Sequence, residues 1–113
     1  MIECAKCKKK QNEFPEWKSG ETYSGLDFHH NPPEFISDYL KEKWSGEMFL
    51  LCRKDHKRLH ELIREIMIRH STLLKPNNSE YWIWLKILPS KRKEMIEEVI
   101  KFTREWINDR DTN

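Results

Sequence analysis

The run Met48-Phe49-Leu50-Leu51-Cys52-Arg53-Lys54-Asp55-His56-Lys57-Arg58-Leu59-His60 carries two periodicities back to back. Its first five residues are almost wholly apolar and follow the turn-forming Ser45-Gly46, which predicts a short buried strand. From Asp55 the apolar positions fall at Leu59, Leu62, Ile63, Ile66 and Met67. That is the spacing of an amphipathic helix running to about Arg69, with Asp55 as its N-cap. His56 and His60 are four residues apart on this helix. Both imidazoles therefore leave one face a turn apart and can share a divalent cation.

Upstream, Leu26-Asp27-Phe28-His29 reads as a short strand leading to His30, and Asn31-Pro32-Pro33 breaks whatever precedes it. At a strand end, neighbouring residues point in different directions. One of His29 and His30 can supply a third ligand while the other faces the open side. Glu34 to Trp44 shows helical spacing, and Lys75-Pro76-Asn77-Asn78-Ser79 reads as a loop. Tyr81 to Leu88 divides between strand and helix, with a lean to helix. Ser90 to Asp109 is a helix whose apolar face is Met95, Ile96, Val99, Ile100, Thr103, Trp106 and Ile107. Lys91-Arg92-Lys93 in its first turn oppose the helix dipole.

Cys4-x-x-Cys7 forces two sulfurs onto one tight turn, as a zinc knuckle requires, and Cys52 offers a third thiolate. Asp55 lies where a Cys-x-x-Cys pair would supply a fourth. Asp is a permitted zinc ligand, but Asp55 could equally cap its helix and leave a water or a His to complete the shell. Three cysteines, an odd number, do not suit a disulfide framework. With no apolar run of membrane-spanning length and no signal-peptide stretch after Met1-Ile2-Glu3, we expect a reduced, cytoplasmic protein. The chain has 113 residues, so one domain is expected over 1–113, with a core over 1–70 and a helical cap over 71–113. The net charge of +2 decides little, whereas the clusters Lys8-Lys9-Lys10 and Arg53, Lys54, Lys57, Arg58 stand beside the ligand candidates. Of the five Trp, Trp82 and Trp84 are the pair closest in sequence, and core packing is the expected role for all five. His70 is expected at a helix end.

Cys4-x-x-Cys7, Leu26-Asp27-Phe28-His29-His30 and Phe49-Leu50-Leu51-Cys52-Arg53-Lys54-Asp55-His56-Lys57-Arg58-Leu59-His60, in that order, resemble the HNH (ββα-metal) nuclease family. The nearer resemblance is to the branch braced by a four-cysteine zinc site, and it covers roughly the first 60 residues. It implies an α+β fold with a small ββα-metal core, a Cys-rich zinc knuckle and a C-terminal helical extension. It implies that His29, His56 and His60 bind the catalytic metal and that His30 is the general base. Cys4, Cys7, Cys52 and Asp55 would hold a structural Zn²⁺. Glu47 stands in place of the family's middle Asn and could instead accept a hydrogen bond from His30.

The activity to expect is metal-dependent endonucleolytic hydrolysis of DNA, in preference to RNA. Phosphodiester hydrolysis needs a cation for the leaving oxyanion and a base for the attacking water, and histidine suits the second role. Mg²⁺, Mn²⁺, Ni²⁺ and Zn²⁺ are all compatible with three imidazoles. Lys54, Lys57, Arg58 and Lys8, Lys9 and Lys10 are the expected phosphate contacts. No membrane partner is expected, and a homodimer stays open. The alternative is a zinc module of this shape that binds nucleic acid or a protein partner with weak or no catalysis, as Glu47 and Asp55 would allow.

Overall fold

The computed structural model describes residues 2–15, 18, 25–34, 36, 47–73 and 79–109. It shows a small mixed α+β protein. Strand β1 (Leu26–Asn31) pairs antiparallel with β2 (Glu47–Cys52), and helix α1 (Arg53–Arg69) follows β2 directly. Two further helices, α2 (Glu80–Leu85) and α3 (Pro89–Asn108), pack back on α1. The helix expected over Glu34–Trp44 falls almost entirely outside the described residues, as do the turns at Ser19-Gly20 and Ser24 and most of the loop at Lys75–Asn78.

The register sets Leu26 against Cys52, His29 against Phe49, His30 against Met48 and Asn31 against Glu47. Because side chains alternate along a strand, Asp27, His29 and Asn31 share the inner face while Phe28 and His30 point outward. The expectation of a fully buried second strand is corrected. A two-stranded sheet packs on one face only, so Met48 is 48 % exposed while Leu51 is wholly buried.

Helix α1 also begins earlier than expected. Cys52, not Asp55, is its N-cap, and Asp55 sits in the first turn. Its inner face is Leu59, Ile63, Ile66 and Met67, the periodic set read from the sequence. The segment Tyr81–Leu88 is helical at its start, because the Ser79 hydroxyl accepts from the Trp82 N–H and satisfies an orphan donor. Pro89 opens α3 at a position where its missing N–H is no loss. Met95, Ile96, Val99, Thr103, Trp106 and Ile107 are buried and complete one core with α1, Leu26 and Leu51. Arg92 lies over the Trp84 ring at 4.5 Å and donates to its carbonyl. One member of the unfavourable cluster Lys91-Arg92-Lys93 is thus spent fastening α2 to α3. Trp84 is buried, but Trp82 is 57 % exposed, so the expectation of core packing for every Trp is corrected at Trp82, which lies on the outer face of its short helix. Among the described residues no helix is long and apolar enough to cross a membrane.

Candidate metal centres

The N-terminal knuckle is a tight turn over Cys4–Cys7. The Lys8 N–H donates to the Cys4 carbonyl (2.9 Å), and Lys8 takes a positive φ of 65° to close it. The turn is docked on β2 by the Ala5 N–H, which donates to Leu50 O at 2.7 Å. This brings the sulfurs of Cys4 and Cys7 to those of Cys52 and the carboxylate of Asp55, all four ligand atoms lying within 4.8 Å of one another. The Cys4 and Cys52 thiols each donate to Asp55 Oδ2 at 3.3 Å. The carboxylate therefore points at sulfur instead of capping the helix, which corrects the N-cap expectation. Burial pushes the Cys52 thiol far above its ordinary range, a hydrogen bond from the Asp55 backbone opposing the rise and the Asp55 carboxylate adding to it, and burial also raises Cys7. Burial thus favours the protonated form of Cys52 and Cys7. A soft divalent ion that displaces their protons would find three sulfurs and one oxygen already gathered.

The second centre is built from β1 and α1. His29 is 2 % exposed, and its ring packs edge-on against His56 (5.3 Å between centroids) and His60 (5.0 Å). Each helix histidine has a carboxylate behind it. His56 Nδ1–H donates to Asp27 Oδ2 at 3.2 Å, and His60 Nδ1–H donates to Glu80 Oε1 at 2.6 Å. Those partners fix both rings with the proton on Nδ1, leaving Nε2 of each as an acceptor. The two Nε2 atoms face each other at 3.0 Å. The buried Nε2 of His29 has no hydrogen-bond partner among the described residues.

One ring nitrogen from each of His29, His56 and His60 lies within 4.8 Å of the others, so a single cation could take all three. Nitrogens about 2.1 Å from one ion and about 90–110° apart stand about 3.0–3.4 Å from each other, so the His56–His60 spacing fits two ligands of one ion. Burial, followed by His60, His56 and His30, pulls the His29 imidazole down to about 3, so His29 is neutral at any ordinary pH, as a ligand must be.

His30 takes the other face. Its side chain is 47 % exposed and borders a cleft of about 250 Å³ together with His29, His56, His60, Phe28 and Pro33. Its ring nitrogen lies 4.0 Å from Glu34. Glu47 does not serve His30, and the idea that it could accept a hydrogen bond from that ring is corrected. Glu47 lies opposite Asn31 on the inner side of the hairpin, one residue out of phase with His30. Its carboxylate accepts from Asn31 Nδ2 (2.9 Å) and from Arg104 of α3 (2.8 and 2.9 Å).

The basic candidates Lys8, Lys9, Lys10, Lys54, Lys57 and Arg58 are all exposed. His70 caps α1 and its Nε2 lies 2.9 Å from Glu98 of α3. Sequence reading missed Asp27 and Glu80. The first was within reach, since it stands two residues before His29 on the same strand face. The second belongs to a separate helix, and no spacing rule connects it to His60. No family model, no curated protein and no solved structure matches this chain.

Proposed function

We propose that the hairpin and α1 form a ββα-metal core and that the protein is an HNH-type endonuclease cutting DNA. The observation that carries the reading is the convergence of three imidazoles, His29 with a buried nitrogen that has no partner among the described residues and His56 and His60 each backed by a carboxylate, beside an exposed histidine at the mouth of one cleft. A divalent cation held by His29, His56 and His60 would supply positive charge to a phosphate oxygen and to the leaving group. His30, reaching the cleft from the solvent side of β1, accepts the proton of the attacking water through its neutral ring. Glu34 is the nearby carboxylate that would steady the ring once it is charged. Asp27 and Glu80 hold the ligand rings in register. Cys4, Cys7, Cys52 and Asp55 take a structural Zn²⁺ that fixes the N-terminal segment against the β2–α1 junction.

The test is relaxation of supercoiled plasmid by zinc-loaded wild type and His30→Ala, with Mg²⁺, Mn²⁺ or Ni²⁺ and with no added metal. We expect nicking by wild type only, and only with metal. Undiminished nicking by His30→Ala would remove His30 as the base. A second reading, a zinc module without catalysis, draws support from Glu47, which is engaged with Arg104 and Asn31 and lends nothing to His30. That reading expects no nicking under any metal.

A further inference from the structure

A second concavity, of about 1260 Å³, opens on the other side of α1, between the knuckle, the first three turns of α1 and the C-terminal half of α3. It exceeds the volume of about 300–1,000 Å³ usual for a small-molecule pocket. It is an open groove suited to an extended ligand.

Its rim is basic. Lys9, Arg53, Lys54 and Lys57 line it, all are exposed, and among the described residues none has an acidic partner. Of the groove's acids, Glu61 is paired with Arg58 at 3.3 Å and Asp55 is turned toward the thiols. Folding does not account for this charge. Arg53, Lys54 and Lys57 occupy the N-terminal end of a 17-residue helix, where the dipole favours acids by about 0.3–1 kcal/mol each. The floor is apolar and partly aromatic, with Phe14, Leu62 and Phe102 half-buried along it.

A row of cations above aromatic rings complements a polyanion whose repeating units are themselves flat rings. Duplex DNA offers phosphates to the rim but keeps its bases stacked inside, so it has nothing for the floor. An acidic peptide meets the rim and equally leaves the floor unused. We infer that this groove seats an unpaired nucleic-acid strand, its phosphates along Lys9, Arg53, Lys54 and Lys57 and its bases against Phe14 and Phe102. Lys57 follows His56 on α1, about 100° further round the helix. A strand in the groove would thus be a tail continuous with the one presented to the histidine cleft. The direction of that tail rests on the nuclease reading, whereas the binding itself does not.

Binding of a fluorescent oligothymidylate, followed by anisotropy against salt, tests the proposal. The zinc-loaded full chain carrying His30→Ala keeps the probe intact. Lys54→Ala/Lys57→Ala on that background should weaken binding at least about tenfold near 0.1 M salt and lower the salt slope by roughly 1.4, about 0.7 for each phosphate no longer neutralised. Lys91→Ala/Lys93→Ala removes the same charge from exposed positions outside the groove and should change little. Phe102→Leu keeps an apolar floor and should weaken the single strand without altering the salt slope.

Equal weakening by the two lysine pairs would overturn the site. Tighter binding of the matching duplex, or displacement of the probe by polyglutamate at lower concentration than by unlabelled strand, would overturn the occupant. Groove-dependent binding with no plasmid nicking by wild type would leave this inference standing and sink the nuclease reading. Nicking with unchanged strand binding in Lys54→Ala/Lys57→Ala would do the reverse.

Discussion

Glu80 shows how much one side chain can decide. Its Oε1 accepts from His60 Nδ1 at 2.6 Å, and Arg64 stands 3.7 Å from the same oxygen. A carboxylate in that position both selects the tautomer and raises the basicity of the ligating nitrogen. Glu80→Ala should therefore lower metal affinity at the histidine centre by about 10–100-fold. Titration with Co²⁺ reads this directly, since the thiolate site gives a sulfur charge-transfer band that the imidazole site lacks. The histidine-site absorption should need more Co²⁺ in the variant, and the thiolate band should be unmoved. Disappearance of both bands together would mean that Glu80 acts on the fold and not on His60. Glu47 is a different case. Its contacts with Arg104 and Asn31 join β2 to α3 at a partly exposed edge, and such pairs are worth less than about 1 kcal/mol. Glu47→Asn should lower the unfolding free energy read from a urea titration by no more than that.

Elements whose identity rests on periodicity were legible, and elements whose role rests on distant partners were not. The apolar faces of α1 and α3 could be read residue by residue, because burial repeats every third or fourth position. Both groups of candidate ligands could be read as well, since Cys4-x-x-Cys7, His29 and the His56/His60 pair are local spacings. The start of α1 was misplaced because Asp55 has the chemistry of an N-cap and the sequence does not show that two thiols compete for it. Glu47 was assigned to His30 by position, although strand alternation puts them on opposite faces. The joint between α2 and α3 was not foreseen either, because Trp84 and Arg92 meet through packing and not through a repeat. That joint is where a helix-scale prediction belongs. Trp84 is 2 % exposed and, among the described residues, the largest fully buried side chain, so Trp84→Ala should cost about 3–5 kcal/mol in denaturant unfolding. Trp82→Ala, at a site 57 % exposed, should stay within about 0.5 kcal/mol. Equal effects would mean that α2 does not dock through Trp84.

Across the molecule, each of the two candidate centres gathers side chains from separate segments of the chain. The cysteine group, with Asp55 accepting from the Cys4 and Cys52 thiols, links the knuckle to the β2–α1 junction, and the histidine group links β1 to α1 with Glu80 of α2 behind it. Lys6 extends the first tie, since its buried ammonium donates to the carbonyls of Trp106 (2.6 Å) and Asp109 at the end of α3. Acid should loosen this arrangement in a defined order when metal is absent. His29 is held at about 3 against an ordinary 6.5, so its neutral burial contributes fully above pH 6.5 and is lost as pH falls towards 3. In that window the unfolded chain binds one more proton, and stability falls by about 1.4 kcal/mol per pH unit. Glu98 acts lower down. Burial alone would raise its carboxyl, but hydrogen bonds from His70 and Arg69 outweigh that and hold it below 4.5, so its contribution is lost only as pH falls beneath that value. Metal-loaded protein should unfold at a higher temperature than metal-free protein. The gap should shrink as pH falls from about 8 to 5, because protons compete for the same thiols and imidazoles. Differential scanning calorimetry of both forms at each pH measures these trends. His29→Asn should flatten the metal-free slope between pH 6.5 and 4. If the wild-type slope is already flat there, His29 is reached by protons without unfolding, and the histidine centre is more open than its burial indicates.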